Sequence, residues 1–88
     1  VCQYAILLMM VAQSCNMIPG ELLHVIADAH IYDRHVDVVK ELIGRETYPA
    51  PKVSLNPEVK DFYAFTTADL IVEDYQAGPQ VKNIPIAV

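Results

Sequence analysis

The chain has no tryptophan, three glycines and two cysteines, and its six Lys and Arg residues are scattered rather than clustered. With a net charge of −5 and no basic patch, it lacks the electrostatic footprint of a nucleic-acid binder. A membrane span is also missing. The apolar run YAILLMMVA, Tyr4 to Ala12, lies between Gln3 and Gln13 and falls far short of the roughly 20 residues a bilayer requires. No basic residues precede it, which argues against a signal peptide. A disulfide is excluded by geometry: on one continuous helix Cys2 and Cys15 stand roughly 20 Å apart, whereas a bridge needs Cα atoms within about 7 Å. Both are expected to be buried free thiols, and free thiols favour a reducing cytoplasm.

What the chain does have is apolar side chains, at 53% of its 88 residues. A chain this short buries only about 60 to 65% of the surface its unfolded form exposes. The excess therefore suggests apolar surface meant for something outside these residues. An opening Val instead of Met fits a truncated or processed chain. Leu7, Leu8, Met9, Met10 and Val11 leave no polar face, the pattern of a helix buried on all sides, ending near Asn16 before the turn signal Pro19-Gly20.

From Leu22 the residues alternate. Leu23, Val25, Ala27, Ala29 and Ile31 lie on one parity; His24, Asp28, His30 and Tyr32 share the other with Leu22 and Ile26. Period-two geometry gives a strand with one oily face and one titratable face, suited to a sheet that packs a core on one side and lines a cavity on the other. Asp33 is positioned to cap an amphipathic helix whose inner face carries Val36, Val39, Leu42 and Ile43, with Gly44 ending it in a left-handed turn. Residues 45 to 51 read as a proline-stiffened linker. Short strands are predicted at Lys52–Leu55 and Leu70–Glu73, with a turn at Asn56-Pro57, a packed aromatic cluster at Phe62, Tyr63 and Phe65, and a single turn capped by Thr67. Gln76 to Pro79 reads as a loop before an apolar tail.

Asp28, His30, His35 and Asp37 are of metal-ligand type, but their spacing matches no compact zinc signature and no cysteine is near, so no metal is expected. No Ser or Cys stands close to His30 to serve as an activated nucleophile. A structural role as satisfied buried imidazoles stays open for His24 and His30, and for His24 alone it is the better reading.

ADAHIYDRH, preceded by YAILLMMVAQ and PGELLH and followed by RETYPAP, VEDYQAGPQVK and the closing IAV, resembles the C-terminal third of thymidylate synthase from end to end. The resemblance implies an α+β fold with a large mixed sheet. To it these residues would contribute a buried helix, inner and peripheral strands and one outer amphipathic helix, within a homodimer. It implies reductive methylation of dUMP to dTMP, with 5,10-methylenetetrahydrofolate as co-substrate and no metal. It maps deoxyribose binding onto His30 and Tyr32, an imidazole and a phenol able to bracket one hydroxyl, and closure over the folate onto Ala87 and Val88. The nucleophilic cysteine, the phosphate-binding arginines and the base-reading asparagine have no counterpart in residues 1 to 88. The catalytic set would then lie in the remainder of the synthase chain, and the isolated 88 residues are expected to be inactive. Ala27 stands where the family usually has Gly, and Gly78 where a His commonly precedes the proline. Two alternatives remain: a dCMP or dUMP hydroxymethylase of the same fold, and a non-catalytic remnant that binds a partner.

Overall fold

A computed structural model of the chain describes residues 1–86. The fold is α+β and divides into two units, Val1–Val25 with Pro51–Tyr75, and Ile26–Ala50 with the segment from Gln76 onward.

The first unit holds helix α1 (Cys2–Ser14) and an antiparallel pair, β1 (Lys52–Leu55) and β2 (Leu70–Glu73). Asn16 stops α1. Its backbone sits at φ 56, a left-handed conformation that Asn tolerates better than most residues. There its N–H reaches Gln13 O at 3.1 Å and the Met17 N–H reaches Ala12 O at 2.7 Å. These two bonds satisfy carbonyls that a helix end otherwise leaves orphaned. The helix thus ends where expected, near Asn16 and ahead of Pro19-Gly20.

Both short strands have the predicted limits, with Lys52 opposite Glu73 and Leu55 opposite Leu70. The connection between them is built from polar side chains that replace ladder bonds. Asn56 Oδ1 accepts the Glu58 N–H at 3.2 Å, and Asp61 Oδ1 accepts the Tyr63 N–H at 3.0 Å. Asp69 Oδ2 accepts the Thr66 N–H at 2.7 Å and the Thr66 hydroxyl at 3.1 Å, while its Oδ1 accepts from Asn56 Nδ2 at 3.2 Å. These bonds favour the carboxylate: the Thr66 N–H first, then the Asn56 amide, hold the Asp69 carboxyl below its ordinary range. The cap expected at Thr67 thus lies one residue earlier, at Thr66, because Asp69 reaches back three positions.

Ala12 and Leu55 are the buried hydrophobic residues among those described. Gln13 ties helix to turn, its amide nitrogen donating to Asn56 O at 2.8 Å and Val59 O at 2.7 Å. Burial of α1 on all sides is not seen within this chain. Ile6, Leu8, Met9 and Met10 are half-buried, but Tyr4, Leu7 and Val11, spaced along one face, are exposed. The thiols also differ from expectation: Cys2 and Cys15 are free but exposed, because they lie at the two ends of α1, where packing against the turn does not reach. Phe62 and Phe65 pack as expected, whereas Tyr63 stays 91% exposed.

In the second unit a 3-10 turn, Asp33–His35, leads into helix α2 (Val36–Ile43). The turn closes through the His35 N–H on Tyr32 O at 2.9 Å, so Asp33 makes no side-chain cap. Gly44 is right-handed, at φ −79, and the last carbonyls are taken by continued turning, Gly44 N–H to Lys40 O and Arg45 N–H to Leu42 O. Val38 and Val39 are the half-buried residues of α2, and Ile43 is exposed, so the packed face lies to one side of the predicted one. The predicted strand over residues 22 to 32 is not formed. A strand needs a hydrogen-bonding neighbour to persist, and among the described residues only β1 and β2 pair.

Candidate functional site

In the second unit Asp28, His30, Tyr32, Asp33, Arg34 and His35 lie within the stretch 28 to 35. The His30 Nδ1 stands 2.9 Å from the backbone oxygen of Asp28 and 3.5 Å from its Oδ1. A carbonyl oxygen only accepts, so Nδ1 carries the proton, and in the neutral ring Nε2 is left as an acceptor. Tyr32 lies two residues on, its ring edge-on to His30 with centroids 5.2 Å apart and planes at 87°. Such a pair contributes about 0.5–1.5 kcal/mol beyond the area it buries. The acceptor nitrogen and the phenolic O–H belong to neighbouring side chains that are each about half exposed, and one acceptor with one donor matches what a single hydroxyl needs. Of the expected grouping of His24, Asp28, His30 and Tyr32, the last three are neighbours through local contacts, without the strand that was to create it. His24 belongs to the first unit, where it lines a shallow surface groove with Tyr4, Leu22, Leu23 and Val25.

The same turn grips the chain's last described residues. His35 Nε2 donates to Pro85 O at 2.6 Å, and Arg34 Nη1 donates to Ile86 O at 3.1 Å. Arg45, paired with Glu41 at 2.8 Å, donates to Pro79 O at 2.6 Å. The His35 ring is edge-on to Tyr32 as well, with centroids 5.7 Å apart. His35, weighed from sequence only as a metal ligand, is thus engaged by the tail. Among the described residues no group of three His, Cys, Asp or Glu side chains is arranged to hold a metal. The roles of Arg34, His35 and Arg45 were missed. No sequence signal marks them, because their acceptors are backbone carbonyls far along the chain. Ala87 and Val88, the residues mapped to closure, lie outside the described residues.

A family model described as thymidylate synthase matches residues 1–88. The chain belongs to the thymidylate synthase family. Its structure is similar to that of the thermostable thymidylate synthase A from Bacillus subtilis, with 40% identity and a TM-score of 0.88 over 94% of this chain. The match covers 30% of that synthase's length. The two departures noted from the family pattern are mild. A side chain at Gly78 would meet Arg45 Nη1 at 3.7 Å, an ordinary contact, and its backbone needs no left-handed conformation. Ala27 lies at a bend next to Asp28, on exposed backbone.

Proposed function

We propose that these residues form the C-terminal part of a thymidylate synthase, a methyltransferase that converts dUMP to dTMP, and that His30 and Tyr32 bind the deoxyribose 3′-hydroxyl. The observation that carries this reading is the His30 tautomer. Its Nδ1–H is engaged by Asp28 O at 2.9 Å, which leaves Nε2 to accept the sugar's proton while the Tyr32 hydroxyl donates to the same oxygen. Asp28 thereby acts as a positioning residue, holding the ring in the tautomer the hydroxyl requires.

5,10-Methylenetetrahydrofolate, when bound, supplies the one-carbon unit and the reducing hydride. The part of this chain assigned to it is the end of the tail, Ala87 and Val88, which would exclude water once closed. The nucleophile, the phosphate ligands and the group that reads the base come from the remainder of the synthase. Cys2 and Cys15, free and exposed at the two ends of α1, are not assigned that role. The exposed apolar row Tyr4, Leu7 and Val11, with Leu23 and Val25, fits surface covered by that remainder and by a second subunit of a homodimer. A cytoplasmic location is in keeping with a nucleotide-synthesising enzyme and with free thiols. No helix among the described residues is long and apolar enough to cross a membrane.

The test is an assay of the protein that carries these residues, with dUMP and dCMP offered in parallel. Formation of dTMP from dUMP supports the reading. A 5-hydroxymethyl product would move the assignment to the hydroxymethylases, and no turnover or nucleotide binding would leave a remnant with a binding role. The 88 residues by themselves are expected to form no dTMP.

A further inference from the structure

We infer that the main-chain carbonyl of Asp28 fixes which 3′ substituents the sugar subsite admits: only those that carry a proton to donate. This deepens, and rests on, the assignment of His30 and Tyr32 to the 3′-hydroxyl. His30 Nδ1 faces two oxygens of one residue, Asp28 O at 2.9 Å and Asp28 Oδ1 at 3.5 Å. Neither a carbonyl nor a carboxylate oxygen has a proton to give, so the hydrogen stays on Nδ1 and Nε2 of the neutral imidazole can only accept. Tyr32, whose ring stands edge-on to His30 with centroids 5.2 Å apart, differs in that a phenol both donates and accepts. The imidazole alone therefore sets the polarity of the pair.

A free 3′-hydroxyl satisfies both groups, giving its proton to Nε2 and taking one from the phenol. An esterified 3′ oxygen has no proton left. A 3′-phosphorylated nucleotide, or a deoxyuridine joined through its 3′ oxygen into a strand, sets an oxygen lone pair against that of Nε2 and brings a phosphate charge toward the exposed Asp28 carboxylate beside the same ring. The substrate class narrows to free 2′-deoxynucleoside 5′-monophosphates. Such a mismatch discriminates more strongly than a missing group, because the acceptor is opposed as well as left unpaired. The selecting bond uses a backbone oxygen, so it depends on the bend at residues 27 and 28 and not on the side chain that Asp28 carries.

The test uses the protein that carries these residues and three analogues of dUMP changed only at the 3′ position: 3′-deoxy, 3′-fluoro and 3′-amino. Fluorine takes the place of the hydroxyl and can only accept, whereas the amino group donates whether or not it is protonated. In calorimetric titration the 3′-amino analogue should bind about 3- to 10-fold more tightly than the 3′-deoxy one, the worth of one hydrogen bond. The 3′-fluoro analogue should bind no more tightly than 3′-deoxy. His30→Ala should lose the advantage of the amino group. A readout free of ligand comes from long-range proton–nitrogen correlation spectra of wild type, in which His30 should show a protonated Nδ1 and a bare Nε2. A 3′-fluoro analogue bound more tightly than 3′-deoxy while 3′-amino is not, or a neutral His30 with its proton on Nε2, overturns the inference alone, since dUMP would still be held at its 3′ end. If dUMP binds no more tightly than its 3′-deoxy analogue, the sugar assignment falls and the selection with it.

Discussion

Gln13 offers a test of how α1 is held, because one amide nitrogen supplies two long-range bonds, to Asn56 O at 2.8 Å and Val59 O at 2.7 Å. Both acceptors are carbonyls, so the contacting group must be the NH2, and each of its protons serves one bond. A neutral hydrogen bond is worth about 0.5–1.5 kcal/mol net. Gln13→Ala should therefore cost about 1–3 kcal/mol in urea unfolding, with an unchanged denaturant slope. Gln13→Leu keeps the volume and loses the donors, so it should cost about as much as Ala. Gln13→Glu should cost more at neutral pH, since a carboxylate would face two carbonyl oxygens at contact distance, and part of the loss should return on acidification as the carboxyl gains a proton to donate. Stability of Gln13→Glu equal to wild type at neutral pH would refute the reasoning, as would Gln13→Leu matching wild type while Ala does not. The second result would assign the effect to packing.

Leu55→Ala removes one of the buried hydrophobic residues, opposite Leu70 in the strand pair; it should lower stability by about 2 kcal/mol, read as a shift of the urea midpoint. Asp69 gives a pH signature. Its carboxyl is held below its ordinary 3.8 by the Thr66 N–H and the Asn56 amide, so its contribution is complete above that value and fades as pH falls through the lowered one. Thermal midpoints measured across the acid range should thus fall less steeply for Asp69→Asn than for wild type, and parallel curves would contradict the assignment. Tyr32→Phe keeps the ring contacts with His30 and His35 and removes only the hydroxyl, so steady-state assays should show a raised KM for dUMP with little change in thermal midpoint. An unchanged KM would count against the phenol as a sugar ligand.

The two short strands were legible in the sequence because their neighbours announced them: Asn56-Pro57 after one, and a capped turn before the other. Helix α1 was legible for the same reason, including its end near Asn16. The strand over residues 22 to 32 was read from alternation, which reports what a segment would do beside a neighbour and not whether the neighbour is there. The apolar excess is likewise not taken up among the described residues, where Tyr4, Leu7, Val11 and Leu23 stay exposed. At the candidate site, Asp28, His30 and Tyr32 meet because they are close in sequence, while the parity that also put His24 on their face rested on a strand that is not formed. The bonds from Arg34, His35 and Arg45 to Ile86, Pro85 and Pro79 join residues 34 to 52 positions apart through backbone atoms, and no side-chain pattern encodes such a pairing.

The central claim is that His30 and Tyr32 bind the 3′-hydroxyl, and the most direct measurement compares dUMP with its 2′,3′-dideoxy analogue. Calorimetric titration of wild type and of a His30→Ala, Tyr32→Phe double variant gives four dissociation constants. Wild type should bind the analogue about tenfold to a hundredfold more weakly than dUMP, the worth of two hydrogen bonds, and the double variant should bind both alike. A double variant that still prefers dUMP by the wild-type factor would contradict the account, because the hydroxyl would then be held by other residues.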